Sequence, residues 1–274
     1  MRTHWTRRTF IKSGILLSAA ALLLDALWIE KFFIETNRYT LKSNIGSPLG
    51  LKFVQISDLH LKSVNSQLRR LAKKINAQNP DLIFLTGDAI ESDQQQPVLD
   101  ELLGLLNHNI RKVAILGNWE YWGGVDLLRL KAVYQKHNCD LLINQAVRYQ
   151  FKGASVSITG IDDFVGGKAS FSDAIQDFQT SDCHIILNHC PQYAETIANE
   201  ITADMVPSAI LSGHTHGGQV NLFGYIPFLP KGSGKYIKGW YKVGNHDLYV
   251  SKGLGTSMLP IRFGSRAEIA VFDV

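Results

Sequence analysis

The sequence predicts an α/β fold around a parallel sheet, and three observations predict it. Strand, loop and helix alternate three times between residues 51 and 137, the signature of right-handed β-α-β crossovers. The middle strand, residues 81–86, is a short apolar run of the kind buried on both faces of a sheet. Polar residues with ligand chemistry recur where these strands end, the edge at which wound α/β sheets gather their sites.

The elements follow in order. Residues 51–57 alternate and carry β-branched and aromatic side chains, so they read as a strand that runs into Asp58-Leu59-His60. Residues 67–79 form a helix with Leu68, Leu71, Ala72 and Ile75 on one face, and Pro80 ends it. The strand at 81–86 stops at Gly87-Asp88. A helix over 97–107 leads to a strand at 111–116, which stops at Gly117-Asn118-Trp119-Glu120, and a helix over 125–137 closes the third unit. The pattern then changes to a hairpin, 146–151 and 154–160, about Lys152-Gly153. A strand over 183–187 ends at Asn188-His189-Cys190-Pro191, with a short helix after the proline. A strand over 208–211 enters Ser212-Gly213-His214-Thr215-His216-Gly217-Gly218-Gln219, and late strands fall at 248–251 and 267–272.

The chain has 274 residues, 45% hydrophobic and 19% charged, which supports one large domain with a sizeable core. The net charge of +4 draws partly on the N-terminus, and no basic–aromatic repeat accompanies it, so nothing points to nucleic acid as a partner. Cys139, Cys183 and Cys190 are odd in number and lack C-x-x-C spacing, which argues against a disulfide framework. They are expected to be small buried residues.

The first fifty residues read as a separate segment: leader and linker over 1–50, folded domain over 51–274. Thr6-Arg7-Arg8-Thr9-Phe10-Ile11-Lys12 precedes an apolar run over 14–29 broken only by Ser18 and Asp25. That layout resembles a twin-arginine export signal. The run is about 16 residues, short of the roughly 20 that cross a bilayer, and lacks a clean cleavage site. An uncleaved anchor, a removed signal and a buried helix all remain open. Residues 31–50 read as a linker or an irregular first strand, marked by Gly46 and Pro48.

Five strand ends carry Asp58 with His60, Asp88, Asn118, His189, and His214 with His216. Residues two apart in extended chain point the same way, so Asp58 and His60 can face one point, as can His214 and His216. All seven donors are oxygen or imidazole. They are too many for one tetrahedral zinc and suit two divalent ions about 3.5–4 Å apart that share a carboxylate. The mixture favours Mn, Fe or Zn over Ca.

This series, D-x-H, G-D, G-N, H and G-H-x-H, resembles the calcineurin-like metallophosphoesterase superfamily over residues 51–274. Gly217-Gly218-Gln219 and residues 249–255 resemble its branch with an N-terminal signal or membrane anchor. The resemblance implies two mixed β-sheets packed as a sandwich flanked by helices. It places Asp58, His60 and His216 on one metal and Asn118, His189 and His214 on the other, with Asp88 bridging. Asp88, Asn118 and His214 would carry the catalysis, and Trp119 and Gln219 would meet the substrate. One position departs: the family's histidine after the asparagine, which assists the leaving group, is Trp119. Gly244-Asn245-His246-Asp247 spells the missing motif out of order and reads as a hairpin turn. His4, His108 and His137 fall in the leader or on surfaces, and His184 in the core or behind the ligands.

The implied reaction is metal-assisted hydrolysis of a phosphodiester or pyrophosphate. No GxxxxGK[ST] is present, and no nucleophilic Ser or Cys motif stands in the right setting. The aromatics and lysines between Phe223 and Tyr241 suit a membrane interface and an anionic headgroup, or else a loop packed on the domain. With the leader, they favour a lipid-linked or membrane-proximal phosphoester and a membrane-anchored enzyme facing away from the cytoplasm. The superfamily resemblance implies UDP-2,3-diacylglucosamine as one such substrate, and an export leader argues against it, since UDP-sugars are scarce on that side. The alternative is a scaffold that kept the fold and lost the chemistry.

Overall fold

The computed structural model describes residues 6–176, 178–202 and 205–274, and His4 lies outside them. The leader is helix α1, Arg7–Leu24, capped by the Thr6 side chain on the Thr9 N–H. It continues through a π-helical turn, Asp25–Ile29, into α2, Glu30–Phe32. The whole helix, Arg7–Phe32, has 26 residues, so it outruns the apolar stretch seen in the sequence. No residue of α1 is buried, which excludes the buried-helix reading of that stretch.

Two six-stranded sheets follow. The first contains β1 (Glu35–Thr40), β2 (Lys52–Ile56), β3 (Leu82–Thr86), β4 (Arg111–Ile115), β5 (Cys139–Leu141) and β12 (Glu268–Asp273). Its order is β1-β12-β2-β3-β4-β5, with only the β12–β2 pairing antiparallel. The second contains β6 (Gln145–Phe151), β7 (Ala154–Gly160), β8 (Cys183–Leu187), β9 (Ala209–Ser212), β10 (Gly239–Val243) and β11 (His246–Val250). Its order is β10-β11-β9-β8-β7-β6, parallel inside and antiparallel at both edges. The α/β sandwich of two mixed sheets is therefore as expected.

The core follows from strand alternation. Phe53, Phe84, Val113, Ile115 and Phe272 point from the first sheet into the interior, where they meet Val156, Ile158, Ile185, Leu187 and Leu211 of the second. The opposite residues of the first sheet, Val54, Ile56, Ile83, Leu85 and Ala114, face α3 (Ser66–Asn76), α4 (Gln96–Leu105) and α6 (Leu127–Lys136). The buried face of α3 is Leu68, Leu71, Ala72 and Ile75, the stripe the sequence shows. Asn65 caps that helix on the N–H groups of Gln67 and Leu68. The outer face of the second sheet carries α7 (Phe171–Ala174) and α8 (Ala194–Glu200). All three cysteines are buried and free.

Of the two readings open for residues 31–50, the strand holds for 35–40: β1 is regular and pairs parallel with β12 from Glu35–Glu268 to Thr40–Asp273, so the sheet begins upstream of residue 51. Residues 118–122 form the helix α5 (Asn118–Trp122). One expectation is corrected: His137, placed on the surface, is tucked against α4, with Nε2 2.6 Å from Asp100 Oδ1. The β5 strand was too short to show periodicity.

Candidate metal centre

The parallel strands β2, β3, β4, β8 and β9 all deliver donors from their carboxyl ends, so two sheets meet at one buried cluster. Asp58, His60 and His216 place ligand atoms within 4.8 Å of one another, and so do Asp88, His189 and His214. Asp88 joins the two groups: its Oδ2 lies 3.3 Å from His189 Nε2 and 3.8 Å from His60 Nε2. Asp58 Oδ1 is 3.6 Å from His216 Nε2, and its carboxylate also accepts the His214 N–H. All six are buried, as is Asn118.

Each imidazole is turned by a partner behind it. His60 Nδ1–H donates to Glu91 Oε1 at 2.9 Å, and His189 Nδ1–H to the Thr86 carbonyl at 2.7 Å. His214 Nε2–H donates to the Lys231 carbonyl at 2.8 Å. In their neutral forms the three rings then turn His60 Nε2, His189 Nε2 and His214 Nδ1 to the cluster as lone pairs. His216 Nδ1 faces the Arg262 guanidinium at 3.4 Å. Asn118 Oδ1 is buried without a hydrogen-bond partner, an expensive state for a protein to keep unless a ligand takes the oxygen. Imidazole nitrogens, two carboxylates and one orphaned amide oxygen fit two metal ions.

The backbone is shaped for this convergence. Asp58, His60, Asp88, His214 and His216 all have positive φ, between 43° and 73°. Such strain costs roughly 1–3 kcal/mol per residue and persists where the surroundings impose it. Gly87 has φ +86°, and a Cβ there would lie 2.4 Å from His189 Nδ1, so the glycine makes room for the imidazole.

Electrostatics without the ions are divided. Burial and the Asp88 charge raise the Asp58 carboxyl. Although burial opposes it, the His189 and His60 imidazoles hold Asp88 well below the usual carboxylate range. Burial and His189 press His214 down to about 4, so its ring is neutral at neutral pH, as a ligand must be.

Several supporting residues were invisible to spacing. Glu120 turns inward and accepts the N–H groups of Gly117, Asp88, Ala89 and Ile90, locking the loop that carries Asp88. The G-x-x-E of a helix start was the one available signal. Glu91 and Arg262 had none. Trp119 is half-buried, edge-on to His60 at 6.1 Å between ring centroids, and its backbone N–H donates to Asp88 Oδ1 at 2.9 Å. The amide nitrogen of Gln219 donates to the carbonyls of Ser257 and Leu259, and its oxygen accepts the Ser257 N–H. Its polar atoms are spent on pinning that loop. His246 opens β11 in the hairpin and belongs to neither group of donors. His184 is buried on β8 against Thr159 Oγ1 and Phe178, also outside both groups.

The chain is similar to several known proteins. The metallophosphoesterase YkuE of Bacillus subtilis is 32% identical, with 98% of this chain and 97% of that one covered. A protein of Danio rerio named as a transmembrane protein with metallophosphoesterase domain is 28% identical over 80% of this chain, which spans 52% of that protein. Among solved structures, a dimetal phosphatase from Danio rerio overlays with a TM-score of 0.48 at 9% identity, covering 83% of this chain and 99% of that one. The profile of the calcineurin-like phosphoesterases matches residues 51–218, every predicted ligand included, and the chain belongs to that family.

Proposed function

We propose that the chain is a membrane-anchored two-metal phosphohydrolase acting on a phosphodiester or pyrophosphate of a lipid-linked or membrane-proximal substrate. The observation that carries the hydrolytic reading is the orphaned Asn118 Oδ1 beside two complete Asp/His groups. In this reading Asp58, His60 and His216 hold one ion, Asn118, His189 and His214 the other, and Asp88 serves both. The ions would supply an activated water and positive charge for the phosphoryl oxygens. The protein supplies the rest. Glu91, Thr86 and Lys231 fix the imidazoles, Glu120 fixes the Asp88 loop, and Trp119 flanks the mouth.

Support for an anionic, partly apolar substrate comes from a neighbouring cleft of about 460 Å³. It runs from His60 between α3 and the foot of the leader helix, and its lining includes Lys31, Lys62, Arg70 and Lys74 beside Phe32 and Leu71. Support for an anchor comes from the 26-residue leader helix, whose first 18 residues, α1, include none that is buried. Arg7, Arg8 and Lys12 before the apolar run favour a cytoplasmic N-terminus and a domain on the other side.

The test measures bound metal and hydrolysis of an aryl phosphodiester. Metal-dependent turnover supports the enzyme. A protein that binds two ions and hydrolyses no ester or pyrophosphate is the scaffold instead.

A further inference from the structure

Two loops near the foot of the leader helix carry large apolar side chains with nothing over them. Phe223 is 97% exposed, Met258 77% and Tyr225 68%, with Leu222 and Leu259 also exposed. The loops form one surface. Asn221 N–H donates to the Phe263 carbonyl, Phe223 and Phe263 rings lie 6.2 Å apart, and the Gln219 amide grips Ser257 and Leu259. Two later aromatics of the same stretch do otherwise: Tyr236 is buried, and Trp240 packs on Tyr39 and Tyr249. A contiguous apolar patch on a soluble surface marks an interaction site.

The leader helix says what covers it, because no flexible linker separates helix and domain. The Arg262 N–H donates to the Ala26 carbonyl at 3.0 Å, and the Ala267 N–H to the Glu30 carbonyl at 3.0 Å. The buried Glu30 carboxylate accepts the N–H groups of Gly264 and Ser265, both at 2.8 Å. From Asp25 onward the helix is therefore part of the domain. What remains free is α1, 18 residues. At 1.5 Å per residue it is about 27 Å long, against a hydrocarbon layer of about 30 Å. A helix of that length, fixed at its foot, brings the bilayer surface down to the level of Ala26, and the 257–263 loop is bonded to the helix at that residue.

We propose that Leu222, Phe223, Tyr225, Met258 and Leu259 form a rim that enters the interfacial layer of the membrane the leader spans. The reading rests on the leader as a spanning anchor. Aromatic and apolar side chains on loop tips gain from such burial while the backbone stays at the headgroups. Gln219 follows His216 by three residues, so the loop that supplies a metal ligand is also the base of this rim. The phosphoester site then works beside the bilayer surface.

The test uses the full chain in phosphatidylethanolamine–phosphatidylglycerol vesicles. Because the native cysteines are buried, single cysteines at Phe223→Cys, Met258→Cys, Leu17→Cys and Leu128→Cys take an environment-sensitive thiol fluorophore selectively. Leu128 is 84% exposed on α6, which packs beside β5 at the sheet edge away from β1, and serves as the aqueous control. The expected result is blue-shifted emission at positions 223 and 258, quenched by lipids spin-labelled near the headgroup, with position 17 quenched by deeper labels and 128 unaffected. Position 17 quenched while 223 and 258 match 128 overturns the rim and leaves the anchor standing. Labels in water at 17, 223 and 258 overturn both. A shift at 223 and 258 that follows protein concentration without lipid makes the face a contact between copies, and overturns the proposal.

Discussion

His60 Nε2 and His216 Nε2 stand 3.1 Å apart. Glu91 accepts the His60 Nδ1–H, which leaves His60 Nε2 a lone pair. The Arg262 guanidinium can only donate, so His216 Nδ1 accepts and its Nε2–H is turned toward that lone pair. A cation at that point takes the place of this proton and is held by both rings. Removing metal by chelation should therefore lower the melting temperature, and Mn or Zn should restore it. At free metal about 100-fold above Kd, binding stabilises by about 2.7 kcal/mol. Differential scanning with and without chelator reads the shift, and an unchanged transition would show that the cluster holds no ion.

Asp88→Asn should abolish hydrolysis and lower bound metal at both positions, because the one carboxylate lies between the two donor groups. His246→Ala, on the β10–β11 hairpin, should leave metal content and rate unchanged. Elemental analysis of the two purified variants distinguishes the real site from the decoy motif, and metal loss in the His246 variant would reverse the assignment.

The attachment of helix to sheet decides where the leader can be cut. Removal of residues 1–40 takes away β1 and the Glu30 carboxylate. It leaves β12 as a bare edge, the kind of strand that recruits other chains. A protein lacking residues 1–24 keeps both. Expression of the two truncations should give folded protein from the shorter deletion and aggregate from the longer. A soluble, active product from the longer one would show β1 to be dispensable.

The candidate ligand set could be read in the sequence because each donor follows an apolar strand, and every one but His189 sits beside a glycine or two residues from another donor. The parallel core could be read because Leu82 to Leu85 permits no solvent face. Residues that act through the backbone left no such trace. Glu120 works by receiving N–H groups from a loop about 30 residues away, Lys231 by offering its carbonyl to His214, and Gln219 by gripping a loop about 40 residues later. Residues 35–40 alternate poorly because β1 is an edge strand, half-exposed on both faces, and edge strands show no clean period. Glu30 looked like an ordinary helix acid, since nothing local shows that Gly264 and Ser265 come to it.

His184 sets a pH dependence of stability. Burial pulls its pKa down to about 3, and its Nδ1 is buried without a hydrogen-bond partner. An unfolded histidine titrates near 6.5. Below that value the unfolded chain takes up a proton that the folded chain refuses. The His184 contribution is thus complete above about pH 6.5 and is lost as pH falls toward 3, by up to about 1.4 kcal/mol per unit. His184→Gln keeps a partner for Thr159 and removes the titration. Urea midpoints between pH 4 and 7 should fall less steeply for the variant than for the parent, and equal slopes would mean His184 is charged in the fold.

The last expectation concerns the missing acid at Trp119. A general acid supplies a factor of about 10²–10⁴, most of it when the leaving oxygen is basic. The indole N–H does not titrate, so Trp119 delivers no proton. Its neighbours are committed elsewhere. Glu120 is buried in the backbone N–H groups of the Asp88 loop, and the Tyr121 hydroxyl donates to Asp162 Oδ1 at 2.5 Å. His184 is packed against Thr159 and Phe178, so it does not fill the role. The enzyme should then favour substrates whose leaving group departs unaided, such as the phosphate of a pyrophosphate or an activated phenol. Rates on phosphodiesters with leaving groups of rising pKa should fall steeply. Trp119→His should flatten the series by restoring the poor leaving groups while changing the good ones little. A flat series in the parent protein would place an acid elsewhere and remove the basis for a pyrophosphate preference.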